Sequence, residues 1–202
     1  MIENKMIENN RSTAYALIKP DSIFKEVPLL IGFNLILVLC SYISINLSFS
    51  PVPITGQTFG VLLIAMALGK TRSVAVVTAY LLEGIAGLPV FAGGTAGFGV
   101  LIGPTGGYLL GFLAAAYIVG TLADKGWDKN FLKSTIAMTI GTAVIFIFGL
   151  FWLVRFVPLE AVFITGFYPF IPGAILKLAV AGLILPSLWS YLAPKKPPAI
   201  RQ

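Results

Sequence analysis

The sequence predicts an all-α membrane protein with six transmembrane helices and both termini in the cytoplasm. Composition gives the membrane. Of 202 residues, 57% are hydrophobic and 11% charged, with a mean hydropathy of +0.93, and a soluble domain has too little interior to hide that much apolar surface. The six long apolar stretches give a bundle rather than a single anchor. The positions of Lys and Arg give the orientation.

Residues 1–26 carry charges throughout, and the apolar run after them is too long for a signal core, so they are expected to form a cytoplasmic tail without a secretory signal. Span one is expected at 27–47. Span two, at 56–69, is short: roughly 14 residues rise only ~21 Å as a helix, less than the ~30 Å hydrocarbon core. It is expected either to tilt little or to continue as irregular backbone toward Pro51 and Pro53. Irregular backbone at membrane depth is tolerated only against protein or a cavity. Span three, 73–88, follows the polar pair Lys70 and Arg72. Spans four, five and six are expected at 106–123, 131–153 and 171–192. One transmembrane domain, 27–193, is therefore followed by a cytoplasmic C-terminal tail, 194–202.

Twelve of the fourteen Lys and Arg residues fall before span one, between spans two and three, between or at the edges of spans four and five, or after span six. Only Arg155 lies on the other side, and Lys177 lies within a span. Positive loops stay inside, so both termini are cytoplasmic. The net charge of +6 thus reads as topology, with attraction to anionic lipid, and no nucleic-acid partner is expected.

Two outer loops are unusual. Residues 48–56 (SFSPVPITG) and 89–105 (PVFAGGTAGFGVLIGPT) carry no charge and are rich in Gly and Pro. A lid folded over a pocket and a loop packed tightly on helices both fit this composition.

Two ionisable groups lie well within spans, Glu83 and Lys177. A lysine at a helix centre in the bilayer costs roughly 2.5–3.5 kcal/mol and normally faces a cavity or a partner. Lys177 is five residues past Pro172 and Glu83 six residues before Pro89, so both sit in the outer part of the membrane at similar depth. They can form a structural ion pair, or Lys177 can snorkel outward, or the lysine can meet an anionic ligand or a polarised carbonyl. A retinal-type Schiff base would need carboxylate counter-ions, and Glu83 is the only candidate. Gly103, Gly107 and Gly111 recur at four-residue spacing, which suits close helix packing. Gly106 and Gly107 also open span four, where free N–H groups can bind ligand oxygens. Thr105, Tyr108 and Gln57 add polar groups at the same mouth, with Phe91, Phe98 and Tyr168 as apolar walls.

No catalytic residues and no cofactor or metal ligands are expected. The chain has no histidine and one cysteine, Cys40, which removes His-based catalysis, His metal sites and an intrachain disulfide. The fragment GKT at 69–71 lacks the earlier glycine of a phosphate-binding loop, since position 64 is isoleucine. Enzyme activity is not expected, and active uptake would need a separate energy source.

The runs FSPVPITGQTFGVLLIAMALG, YLLEGIAGLPVFAGGTAG, GPTGGYLLGF and FIPGAILK resemble the BioY family, the biotin-binding S components of energy-coupling factor (ECF) transporters. The resemblance covers about residues 27–192. It implies the six-helix S-component fold, and biotin uptake across the cell membrane with a coupling protein and two ATPase subunits as partners. ATP hydrolysis would drive toppling of the loaded S component. It also implies that Gln57, the Phe91–Gly94 turn, Thr95, Tyr108 and Lys177 surround or shape the biotin site, under the loop between helices one and two. With Glu83, Phe98 and Gly107 from the residue reading, these are the expected substrate-binding residues. Two departures stand out. The span-six motif PGDxxK reads PGAILK, with Ala174 in place of aspartate; either Glu83 replaces the missing carboxylate or its ureido contact is absent. In span one, the small-residue stripe expected for docking to the coupling protein offers only Gly32, Cys40 and Ser41. The competing expectations are an S component for another vitamin and a membrane assembly protein without a small ligand.

Overall fold

The computed structural model describes residues 22–177 and residue 180. Residues 1–21, the expected tail 194–202 and the later part of the expected span 171–192 lie outside the described residues. Helix α1, Ile23–Tyr42, starts four residues earlier and ends five residues earlier than expected. It stops because the chain turns into a small hairpin: β1 (Ser44–Ile45) pairs antiparallel with β2 (Ile54–Thr55), Ser44 opposite Thr55.

Helix α2, Gln57–Ile85, is continuous by residue count but broken at Gly69, where φ is 73° and ψ −177°. The break is a reversal. Gln57 and Tyr80, 23 residues apart, share a side-chain hydrogen bond, whereas in a straight helix they would lie ~35 Å apart. The two arms, 57–68 and 70–85, are therefore the antiparallel spans two and three. Only glycine fits the turn: its φ and ψ fall in a region nearly closed to other residues, and a Cβ there would strike the Asp124 carboxylate. Asp124 in turn accepts the Lys70 N–H at 3.0 Å, satisfying a donor that the helix start leaves open. The Ser73 hydroxyl donates to Gly69 O at 2.7 Å and lies 3.2 Å from Ala116 O.

After α2 come a tight glycine-rich turn, the short helix α3 (Phe98–Ile102), then α4 (Gly106–Asp124) and α5 (Phe131–Leu153). The Asn130 side chain caps α5 by accepting the Lys133 N–H. The chain returns through α6 (Val162–Gly166) and becomes helical again over 171–177. Among the described residues, five segments are long and apolar enough to cross a membrane, the last being Leu159–Lys177, and counting the two arms of α2 separately makes six. The α2 hairpin and α4 form the centre, α5 packs on α4, and α1 lies outside against α2.

Without a hydrophobic drive between helices in lipid, close backbone approach holds such a bundle. Gly107 and Gly111 of α4 face α5: a Cβ at Gly107 would enter Trp152, and one at Gly111 would lie 3.0 Å from Ile145 Cα. Packing thus accounts for these two glycines. Gly120 meets the backbone of Lys70 at the other end of α4. Glu26, Lys70, Arg72 and Asp124 gather at that same end, with Glu26 bonded to Arg72 at 2.9 Å.

Candidate ligand site

A cavity opens where the β hairpin, the two arms of α2 and the later helices converge. It holds about 870 Å³ of space between atoms, open solvent included, and is walled mainly by apolar and aromatic side chains, as small-ligand sites are. Val52, Pro53, Ile54 and Thr55 come from the hairpin, and Gln57, Thr58, Phe59 and Leu62 from the first arm of α2. Phe91 and Ala92 come from the glycine-rich turn, Tyr108 and Phe112 from α4, and Met138, Thr142 and Phe146 from α5. Phe170, Ala174 and Lys177 close the remaining side.

Lys177 is the only charged side chain among these lining residues. Its ammonium donates to Thr55 O at 2.5 Å and to Thr58 Oγ1 at 3.0 Å. An ammonium has three N–H groups, so one is left for a ligand. The other polar groups are mostly committed. Thr55 Oγ1 donates to Gln57 Oε1 at 3.0 Å, and Gln57 Nε2 donates to Tyr80 Oη. Thr142 Oγ1 donates to Met138 O at 2.8 Å and Thr105 Oγ1 to Val100 O at 3.3 Å. Tyr108 Oη donates to Gly166 O at 2.8 Å. Its ring stands at 30° to Phe170, centroids 6.4 Å apart, and edge-on to Phe146. The cavity therefore offers aromatic walls, one cation, and hydroxyl and amide oxygens with lone pairs to spare. Such a site suits a small ligand with an apolar body, N–H donors and an oxygen for the lysine.

The roof is pinned at several points. Ser50 Oγ donates to Thr165 O at 2.7 Å and Lys177 reaches Thr55 O, tying the hairpin loop to the segment 159–177. Ser41 Oγ donates to Val90 O at 2.6 Å and Tyr42 Oη to Pro89 O at 2.8 Å, tying α1 to the glycine-rich turn. The uncharged loops thus lie over a pocket.

Of the nine expected site residues, the structure brings Lys177, Gln57, Tyr108 and Phe91 to the cavity wall. It places five elsewhere. Glu83 is half-buried away from the wall and forms no ion pair with Lys177, whose two partners are Thr55 and Thr58. Glu83 thus stands off the cavity that Ala174 lines. Thr95 is exposed and donates to Ala92 O within its own turn. Gly94, with φ 79°, shapes that turn against the Tyr42 ring. Phe98 is 57% exposed, and Gly107 is covered by α5. Tyr168, read as a further wall, is exposed too. Thr55, Thr58, Thr142, Phe112, Phe146 and Phe170 were not anticipated. A threonine in a helix can satisfy itself on the preceding turn, so its presence in an apolar span is no signal of a site.

Residues 11–194 match the model of the BioY family. The chain is 41% identical over 153 residues to the biotin transporter BioY of Thermotoga maritima, covering 75% of this chain and 88% of that protein. It is 39% identical over 140 residues to the probable biotin transporter BioY of Pyrococcus horikoshii, covering 69% and 82%. Its fold is similar, with a TM-score of 0.75 and 26% identity, to a crystal structure at 2.1 Å of the S-component for biotin from an ECF-type ABC transporter, over 83% of this chain and 92% of that one.

Proposed function

The chain belongs to the BioY family, and from that premise we propose that its cavity captures biotin from outside the cell and releases it inward. It is a multi-pass membrane transport protein and not an enzyme. The observation that carries the site assignment is Lys177, the one charged side chain among the described residues lining an aromatic cavity, held by two hydrogen bonds with a third N–H left over. Biotin supplies a flat ureido ring, a thioether ring and a valerate carboxylate. The aromatic walls take the fused rings and Lys177 takes a ligand oxygen. Gln57 and the threonine hydroxyls meet the ureido edge, where each group left unpaired would cost on the order of 1–3 kcal/mol.

The remaining parts are proposed with it. The membrane is the cell membrane, with both termini and the Glu26–Arg72–Asp124 end inside and the hairpin roof outside, as the lysine and arginine distribution requires. The span 27–193 is the substrate-binding domain, flanked by the two tails. Energy comes from a coupling protein and two ATPase subunits. The small residues of α1 make no continuous docking stripe: Ser41 is buried against Val90, the half-exposed Cys40 packs at Gly60, and Gly32 stands apart from both.

The test is equilibrium binding of biotin to the detergent-purified protein, with desthiobiotin, thiamine and riboflavin as competitors. Saturable binding displaced by desthiobiotin but not by the other vitamins is expected. Displacement by thiamine or riboflavin would assign the cavity to another vitamin, and no binding of any of them would favour an assembly role.

A further inference from the structure

One fully buried side chain outside the cavity touches two of its wall residues from behind. Tyr80, on the second arm of α2, has no exposed surface and does not line the cavity. Its hydroxyl accepts the Gln57 Nε2–H from the first arm. Its ring meets Phe91 edge to face, centroids 5.5 Å apart and planes at 77°. One turn further along, Gly84 leaves the space the Phe91 ring occupies, since a Cβ there would enter it. The far end of the Gln57 amide is held as well, by the Thr55 hydroxyl.

A carboxamide has two N–H donors and two oxygen lone pairs. With Tyr80 on one N–H and Thr55 on one lone pair, Gln57 keeps one donor and one acceptor for a ligand. That pair complements the adjacent N–H and C=O of a cyclic urea. Within the membrane, a loose amide would turn to whatever partner it found, because an unpaired buried polar group is costly. We propose that Tyr80 is a positioning residue for ligand recognition: its hydroxyl fixes the Gln57 amide in the orientation that meets the ureido group. This rests on the assignment of biotin as the ligand.

Tyr80→Phe removes the hydroxyl and keeps the ring against Phe91. Biotin affinity would be measured for the wild type, Tyr80→Phe, Gln57→Leu and the double variant, along with the ligand-free melting temperature of each. Tyr80→Phe is expected to weaken biotin binding about tenfold in the wild type and to add nothing in the Gln57→Leu background. Unchanged affinity in Tyr80→Phe would overturn the inference and leave the biotin assignment standing. A tenfold loss repeated in the Gln57→Leu background would also overturn it, since Tyr80 would then act on the bundle rather than through Gln57. A wild type that does not bind biotin would overturn both. The double variant leaves no amide N–H unpaired. Should Tyr80→Phe alone not fold, equal biotin affinity of Gln57→Leu with and without Tyr80→Phe carries the expectation, and unequal affinity contradicts it.

Discussion

The ammonium of Lys177 does two things at once: it holds the Thr55 carbonyl and Thr58 hydroxyl, and it keeps one N–H toward the cavity. Lys177→Ala should therefore weaken biotin binding at least tenfold, about 1.4 kcal/mol, with the protein still folded. Unchanged affinity would remove Lys177 from the site. Glu83 behaves oppositely. It lies off the cavity wall, so Glu83→Gln should leave biotin affinity within about twofold, and a tenfold loss would show that the carboxylate reaches the ligand after all. The contrast shows what was legible. Helix rise placed Lys177 and Glu83 at similar depth, but depth says nothing of rotation about the axis. Tyr80 and Gly84, four residues apart, turn inward against Phe91, and Glu83 beside Gly84 is rotated ~100° off that line. The turn residues misled for a related reason. Gly94 and Thr95 belong to a motif that resembles the family's, but they shape the turn presenting Phe91 rather than line the cavity.

At the scale of elements, the sharpest constraint is the reversal at Gly69. The sequence placed two spans on either side of Lys70 and Arg72 and left the link open, since a loop and a glycine hinge look alike there. Gly69→Ala combines a forbidden backbone region, which costs about 1–3 kcal/mol, with a clash against Asp124. It should lower the melting temperature of the detergent-purified protein markedly. A melting temperature equal to the wild type would mean that the hinge is not as tight as described. The roof is a weaker element, held by single hydrogen bonds. Ser50→Ala removes the tie from the hairpin loop to Thr165 and should speed biotin dissociation severalfold while changing the melting temperature little. Equal dissociation rates would show that the loop does not gate release.

Over the whole molecule, the apolar arms and their order were legible because apolar runs alternate with charged inner loops and with two uncharged outer loops rich in Gly and Pro. What the sequence could not show is which arms are central. The α2 hairpin and α4 are, because glycines at 107, 111 and 120 let α5 and the hinge approach α4 closely, whereas α1 lies outside, packed on the core through Leu37 and Phe33 and tied at its ends by Ser41, Tyr42 and the Glu26–Arg72 pair. The orientation proposed for this bundle predicts that cysteines introduced near Lys5 or Lys196, on a Cys40→Ser background, react with an impermeant thiol reagent only after the cells are opened. One introduced at Ser48 should react in intact cells, and the reverse pattern would invert the topology. The central claim is that this cavity holds biotin although it lacks a carboxylate at Ala174. The most direct measurement is mass spectrometry of small molecules released by denaturing the freshly purified, detergent-solubilised protein, followed by biotin titration of the emptied protein. Biotin at near-stoichiometric amount, or saturable rebinding of it, is the predicted result. No biotin released and none taken up on titration would contradict the account.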